Sequence, residues 1–202
     1  MLNLKIIDFE ASLHKILYFI TILMKWRIIM SKILQTQLTG IFNRLEDQAL
    51  DIQMAAQCLI QAIGGEGYVY INGYGDLKFF ETFILESDEK LNSSKKLSEL
   101  NSLNDLDTTD RVFLFSPFYT KEVAQDVQQL IDKDIDFVLV CNRPKQEDFP
   151  EHLMHFVNLS TPRPIVYTED YDKIVQPHTM AFNYIYYDIY TQMIEMTRDL
   201  EL

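Results

Sequence analysis

Two loops in this sequence carry residue types that can bind a small polar molecule. The first is NGYGD, which follows a short apolar run, and the second is SPFYT, which follows another. Glycines let the backbone approach a ligand closely, and the free amides at the start of a helix attract anions. The candidate binding residues are Asn72, Gly73, Gly75, Asp76, Ser116 and Thr120. These types predict an anion site in which Asp76 has the wrong charge.

The glycine spacing does not fit either of the common nucleotide loops. A dinucleotide fingerprint requires a third glycine three residues after the second, and Lys78 occupies that position. The chain also lacks an evident strand-ending acid about 20 residues further on. A P-loop requires the sequence Gly-Lys-Ser/Thr, which is missing here. We therefore expect no cofactor at this loop.

Short apolar runs alternate with amphipathic segments along the chain. The runs predict strands at 68–71, 111–116, 136–142, 156–159 and 165–167. The amphipathic segments predict helices over 38–63, from Asp76 to about 85, over 120–133 and over 178–198, with Asp76 as the N-cap of the second. Such alternation predicts an α/β domain around a mostly parallel sheet of about five strands.

The predicted sheet explains why the two loops belong together. In open parallel sheets, ligands bind outside the carboxyl ends of the strands, near the point where the strand order reverses. Those ends carry residues 72–76, residues 116–120 and the pair Cys141–Asn142. We expect any site to lie there.

Composition and charge limit the possible partners. The chain has 202 residues, a formal net charge of −12 and a pI near 4.7. Its densest basic spots, Lys95–Lys96 and Lys25 with Arg27, are too short to attract a phosphate backbone, so we expect no nucleic-acid partner. Cys58 and Cys141 form no metal or disulfide pattern, which predicts buried thiols in a reducing, cytoplasmic compartment.

The first thirty residues differ from the rest. The apolar run 16–24 is roughly half the length that a spanning helix requires, so we expect no membrane partner. Met30 begins MSKILQTQLTGIF, which looks like a natural protein start. We therefore expect residues 1–29 to be an extension from an upstream start, outside a domain formed by 30–202. A membrane-surface helix and an anchor are alternatives for this extension.

The stretches INGYGD and SPFYT, each between a strand and a helix, resemble the two phosphosugar loops of the SIS (sugar isomerase) domain family. The resemblance covers about residues 33–200. Segments LQTQLTGIF and HTMAFNYIYYDIY make the chain similar to a narrower SIS-like family of Gram-positive bacteria. The resemblance implies a flavodoxin-like three-layer sandwich with long N- and C-terminal helices. It also implies a phosphosugar ligand and a homo-oligomer such as a dimer.

The chain departs from that family at both loops. Asp76 stands where the family has a phosphate-binding serine, and Phe118 and Tyr119 replace a Ser-Gly pair. A carboxylate near a bound phosphate repels it, and the repulsion grows as the local dielectric constant falls. Ser116, Thr120 and the helix that follows them still offer hydroxyls and amides.

Catalytic groups are few. Glu86 sits about where related phosphoheptose isomerases place a glutamate, and His178 lies near the region where the family often has a functional histidine. Glu86 as solvated helix surface and His178 as an exposed helix terminus are the alternatives. His152 and His155 have helical spacing for a metal pair, but no third ligand accompanies them, so we predict no metal site.

Three functions are consistent with this sequence. The first is a divergent SIS-like domain that binds a small anionic metabolite, such as a sugar phosphate, without standard isomerase activity. The second is an active phosphosugar isomerase with an altered site built on Glu86 and His178. The third is a structural or interaction protein that kept the scaffold and lost the ligand.

Overall fold

The computed structural model of this chain describes residues 15, 17, 18, 20, 21, 30–145, 149–150, 152–168 and 170–199. They belong to two compact units. The larger unit takes Ile41–Pro164 with Gln176–Leu202, and the smaller takes Met1–Gly40 with Ile165–Val175. The extension predicted at 1–29 lies largely outside the described residues. Among the described helices, none combines the length and apolar character needed to cross a membrane.

Five helical segments carry the labels used below. They are α1 (30–46), α2 (Ala49–Gly64), α3 (Phe80–Glu86), α4 (Lys121–Asp132) and α5 (His178–Asp199). The single helix predicted over 38–63 is wrong, because a turn at Asp47 and Gln48 divides it. The Gln48 side chain accepts a hydrogen bond from Asn158 N at 2.9 Å and donates one to Asn158 O at 3.0 Å. Periodicity cannot reveal such a bond, since its partner lies 110 residues away.

The larger unit contains a five-stranded sheet in the order β2-β1-β3-β4-β5. Its strands are β1 (Val69–Gly73), β2 (Ser94–Lys96), β3 (Arg111–Phe118), β4 (Phe137–Asn142) and β5 (Phe156–Asn158). All four neighbouring pairs are parallel. This is the flavodoxin-like strand order, and it confirms the predicted α/β fold with a parallel sheet of five strands.

One of the five predicted strands belongs elsewhere. The prediction at 165–167 corresponds to β6 (Val166–Tyr167), which pairs antiparallel with β7 (Lys173–Ile174) in the smaller unit. The fifth strand of the main sheet is β2, from the polar stretch between 87 and 110. Three residues at the edge of a sheet need no apolar run, so hydrophobic periodicity does not detect them.

Alternate residues of β3 build the two faces of the sheet. Phe113 and Phe115 point towards α5, where their rings lie 6.1 and 4.5 Å from the ring of Phe182. On the other face, Val112 and Leu114 share a buried cluster with the apolar side of α4, which is Val123, Val127 and Leu130. A sheet covered on both faces explains why its central strands are almost wholly apolar.

Both cysteines are buried, as predicted. Cys58 lies in α2 and Cys141 in β4, and both thiols are free. Burial raises the pKa of each thiol to about 12. Both therefore stay protonated and unreactive at neutral pH.

Candidate functional site

A cavity of about 480 Å³ opens at the carboxyl edge of the sheet, where strand order reverses. The chain places β2 on one side of β1 and β3 on the other, so the loops after β1 and β3 diverge and leave a crevice. The lining residues are Tyr74, Gly75, Asp76, Ser116, Pro117, Phe118, Thr120, Lys121 and Glu122. The structure thus brings the two sequence-predicted loops together in one cavity.

The first loop is held by a buried carboxylate. Glu81, in α3, accepts a hydrogen bond from Gly73 N at 2.9 Å. A Cβ at Gly73 would lie only 2.5 Å from the ring of Phe115, so the close approach requires glycine. Gly75 has a φ of +52°, which also favours glycine. The predicted glycines therefore shape the loop, and only Gly75 lines the cavity.

Asn72 and Tyr74 are tied to α4. The Tyr74 hydroxyl donates to Asp126 Oδ2 at 2.5 Å, and Asn72 Nδ2 lies 3.4 Å from the same oxygen. Burial, assisted by this bond, raises the pKa of Tyr74 and keeps its hydroxyl protonated. Asn72 points to Asp126 and does not line the cavity, so its predicted binding role receives no geometric support.

Asp76 does not cap a helix, which corrects the sequence prediction. The chain first makes a 3-10 turn over Gly75–Leu77, and α3 begins only at Phe80, without a side-chain cap. Asp76 is exposed and has no hydrogen bond to any residue that the structure describes. Its carboxylate therefore faces the cavity uncompensated, and no helix amides are occupied by it.

A bulge in β3 shapes the second loop. Phe115 pairs with Val140 but Phe118 pairs with Asn142, so β3 carries one extra residue at this point. The Ser116 hydroxyl is buried and donates to Phe118 O at 2.7 Å. The bulge thus turns Ser116 inward and presents Phe118, 45% exposed, to the cavity.

The start of α4 forms the polar wall of the cavity. Thr120 is its N-cap, with Oγ1 accepting from Val123 N at 3.4 Å, in agreement with the predicted helix over 120–133. Lys121 and Glu122 follow in the first turn and line the cavity, although neither was singled out from the sequence. The sequence could have indicated both residues, because they fall in the first turn of a predicted helix that directly follows the predicted loop. The lining carries one cation against the carboxylates of Asp76 and Glu122.

Behind this wall lies a buried chain of polar side chains. Asn142 Oδ1 accepts from Thr161 N at 2.7 Å, and its Nδ2 donates to Pro117 O at 2.7 Å. Thr161 Oγ1 lies 2.8 Å from His178 Nδ1. Asn142, Thr161 and His178 are 4%, 1% and 2% exposed. The alternative in which His178 is an exposed helix terminus is therefore wrong.

His178 is buried because its ring packs against the cavity wall. The Phe118 ring meets the imidazole edge-on, with centroids 5.0 Å apart. Burial lowers the pKa of His178, and the carboxylate of Asp76 opposes that shift in part. Thr161 was missed from the sequence, although it follows β5 at the same edge of the sheet and the strand-end rule could have included it.

Glu86 is not part of this cavity. It ends α3, is exposed, and does not line the site. Helices α3 and α5 pack side by side in the same chain direction, since Phe80 contacts Phe182 and Phe83 contacts Tyr186. Glu86 lies beyond Phe83 at the end of α3, whereas His178 is the first residue of α5. The two predicted catalytic residues are not brought together.

Two further histidines of the described residues lie at the opposite end of β4. His152 and His155 line a cavity of about 210 Å³ with Asp134 and Asp136. The residues from 152 to 155 form turns, so the helical spacing does not apply. Within the described part of the chain, no three His, Cys, Asp or Glu side chains converge to hold a metal ion.

The outer face of α5 bears a larger groove of about 590 Å³. Tyr184 and Tyr187 line it, each about one-third exposed, and Tyr184 stacks on Phe42 with centroids 5.3 Å apart. This groove lies away from the strand ends, and no Lys or Arg is among the described residues that line it. The homo-oligomer implied by the resemblance stays a prediction.

The structure is an α/β protein of the flavodoxin-like type with a crevice at its switch point. The chain belongs to the family described as "Domain of unknown function (DUF2529)", whose model matches residues 30–197. It is 29% identical over 177 residues to the "Uncharacterized protein YwjG" of Bacillus subtilis (strain 168), covering 84% of this chain and 99% of that protein.

A solved structure has a similar fold. It is the crystal structure of a "putative phosphosugar isomerase involved in capsule formation" from Bacteroides fragilis. The two superimpose with a TM-score of 0.57 over 82% of this chain and 92% of that one, at 13% sequence identity. A likeness at this identity shows a shared scaffold.

Proposed function

We propose that this protein is a divergent SIS-type domain that binds a small anionic metabolite, with a sugar phosphate as the leading candidate, and that it lacks standard isomerase activity. The proposal places the ligand in the cavity between the loops after β1 and β3. The description of the Bacteroides fragilis protein as a phosphosugar isomerase supports this substrate class.

The observation that carries the proposal is the wall formed by the start of α4. Helix α4 has 12 residues, and its first turn brings unpaired amides and the Lys121 ammonium to the cavity. An anion there is favoured by the helix dipole and by direct hydrogen bonds. The cavity volume of about 480 Å³ lies within the range of small-molecule sites.

Two features argue against isomerase chemistry. Proton transfer between neighbouring carbons needs an acid and a base held at the substrate, and the predicted pair of Glu86 and His178 does not line the cavity. Glu86 is exposed and outside the cavity, and His178 is buried against Phe118. The carboxylates that do line the cavity, Asp76 and Glu122, are available to accept hydrogen bonds from sugar hydroxyls.

A calorimetric titration with fructose 6-phosphate and with inorganic phosphate tests the site through three variants. Asp76→Ser removes the uncompensated charge, and two unit charges 4 Å apart repel by about 1 kcal/mol in water and more in a partly dry site. We take the lower figure because Asp76 is exposed, which predicts about fivefold tighter binding. Lys121→Gln should weaken binding by a similar factor.

Asp88→Ser is the matched control. Asp88 is exposed and does not line the cavity, so this variant makes the same change in net charge without changing the site. Equal gains from Asp76→Ser and Asp88→Ser would mean that only overall charge matters. If the wild-type protein binds neither compound, the anion site is refuted and the scaffold is better explained as an interaction module. Turnover of fructose 6-phosphate would refute the lack of isomerase activity.

A further inference from the structure

The buried chain from Asn142 through Thr161 to His178 fixes the protonation of the imidazole. The orientation of the Asn142 amide is set by two main-chain groups whose roles cannot change. Thr161 N–H must donate to Oδ1, and Pro117 C=O must accept from Nδ2, each at 2.7 Å. If the amide were flipped, its NH2 group would face the donor Thr161 N–H and its oxygen would face the acceptor Pro117 O.

The hydroxyl of Thr161 then has one good acceptor. Its Oγ1 accepts from Asn142 Nδ2 at 3.1 Å, and its own proton can go to His178 Nδ1 at 2.8 Å or to Asn142 Oδ1 at 3.5 Å. The shorter distance favours Nδ1, and Oδ1 is already occupied by Thr161 N. With Nδ1 accepting, a neutral His178 carries its proton on Nε2.

The Nε2–H group of His178 is buried and makes no hydrogen bond to any residue that the structure describes. A buried donor of this kind is normally satisfied, so its isolation needs an explanation. The Phe118 ring contacts the imidazole and also lines the cavity, so it links the two.

We propose that His178 is a ligand-binding residue of the cavity, which donates from Nε2–H to an uncharged oxygen of the ligand when the Phe118 side chain turns outward. Thr161 and Asn142 are positioning residues that hold this tautomer. The contact rests on the proposed function and extends it. The ligand's anionic group lies at the start of α4, and a carbonyl or hydroxyl oxygen of the same molecule reaches His178. In this role His178 is a neutral donor and not a base.

Nitrogen-15 NMR of the imidazoles in the full chain tests the tautomer without any ligand. The chain has four histidines, so the signal of His178 is assigned by its loss in His178→Gln. At pH 7.5 we expect protonation on Nε2 alone. Thr161→Ser should keep that signature, whereas Thr161→Val, which cannot donate, should change the tautomer population. A proton on Nδ1, or a charged ring, would overturn the proposal.

The ligand contact is tested by titration with the same two probes. Fructose 6-phosphate should shift the Nε2 resonance of His178, and inorganic phosphate should not. His178→Gln should weaken the binding of fructose 6-phosphate by up to about tenfold, which corresponds to the loss of one hydrogen bond. The affinity for inorganic phosphate should stay within about twofold of the wild-type value. Phe118→Ala should preserve the shift, because it opens the path to the ring.

The outcomes separate this contact from the proposed function. If neither probe binds the wild-type protein, the anion site fails and the His178 contact fails with it. If fructose 6-phosphate binds but the His178 resonance stays unchanged, only the His178 contact fails. Equal weakening of both probes by His178→Gln would also overturn it, since the effect would then be structural.

Discussion

Asn142 is the side chain on which the carboxyl edge of the sheet depends most directly. It ends β4, is 4% exposed, and joins the loop after β3 to the loop after β5 through Pro117 O and Thr161 N. Replacing it by alanine leaves both main-chain groups buried without a partner. Each such group costs about 1–3 kcal/mol. We therefore expect Asn142→Ala to lower the free energy of unfolding by about 2–6 kcal/mol.

Urea denaturation followed by circular dichroism measures this change as a lower transition midpoint. Asn101→Ala is the matched control, because Asn101 is exposed, and surface changes of this type are usually within about 0.5 kcal/mol of zero. A loss below about 1 kcal/mol for Asn142→Ala would refute the reasoning, since it would mean that the two main-chain groups find water or new partners. A loss of unfolding free energy in Asn101→Ala as large as that in Asn142→Ala would also count against the reasoning.

Two further predictions concern the glycines and the buried imidazole. Gly73→Ala should destabilise the protein by about 1–3 kcal/mol, because the added methyl group would collide with the Phe115 ring. Gly75→Ala should cost about 1 kcal/mol, because its added methyl group meets no atom closer than 3.5 Å and only the positive φ is unfavourable. Thermal unfolding of the two variants measures the difference. Burial lowers the pKa of His178 below its ordinary value of 6.5, so the unfolded chain binds more protons just below pH 6.5 and stability falls as pH drops there. Burial also lowers the pKa of His155, which acts in the same direction, so His178→Gln should reduce this slope without abolishing it.

Hydrophobic pattern was sufficient for the central part of the fold. The apolar runs that became β1, β3 and β4 are covered on both faces, and such strands are recognisable without knowledge of their neighbours. Helix α4 was equally clear, because its apolar side faces one cluster and Thr120 marks its start. The strand-end rule named residues 72–76 and 116–120, and residues from both loops line one cavity.

The errors share a physical cause, which is that each depends on a distant partner. The turn that divides α1 from α2 is fixed by Gln48 pairing with Asn158 in β5. The burial of His178 depends on Phe118 and Thr161, which come from different loops. Asp76 has the side chain of a helix cap, but the helix begins four residues later. Local sequence carries no information on such contacts.

The sequence by itself determined the parallel α/β sheet and the loops that follow its strands at the carboxyl edge, because periodicity and turn chemistry are local properties. Only the tertiary structure decided which residues meet. It separated Glu86 from His178, turned the Ser116 hydroxyl inward, left Asp76 uncompensated at the cavity, and joined Asn142, Thr161 and His178 into one buried chain. These outcomes follow from the packing of segments far apart in the chain, where a side chain's role is set by the partner it meets.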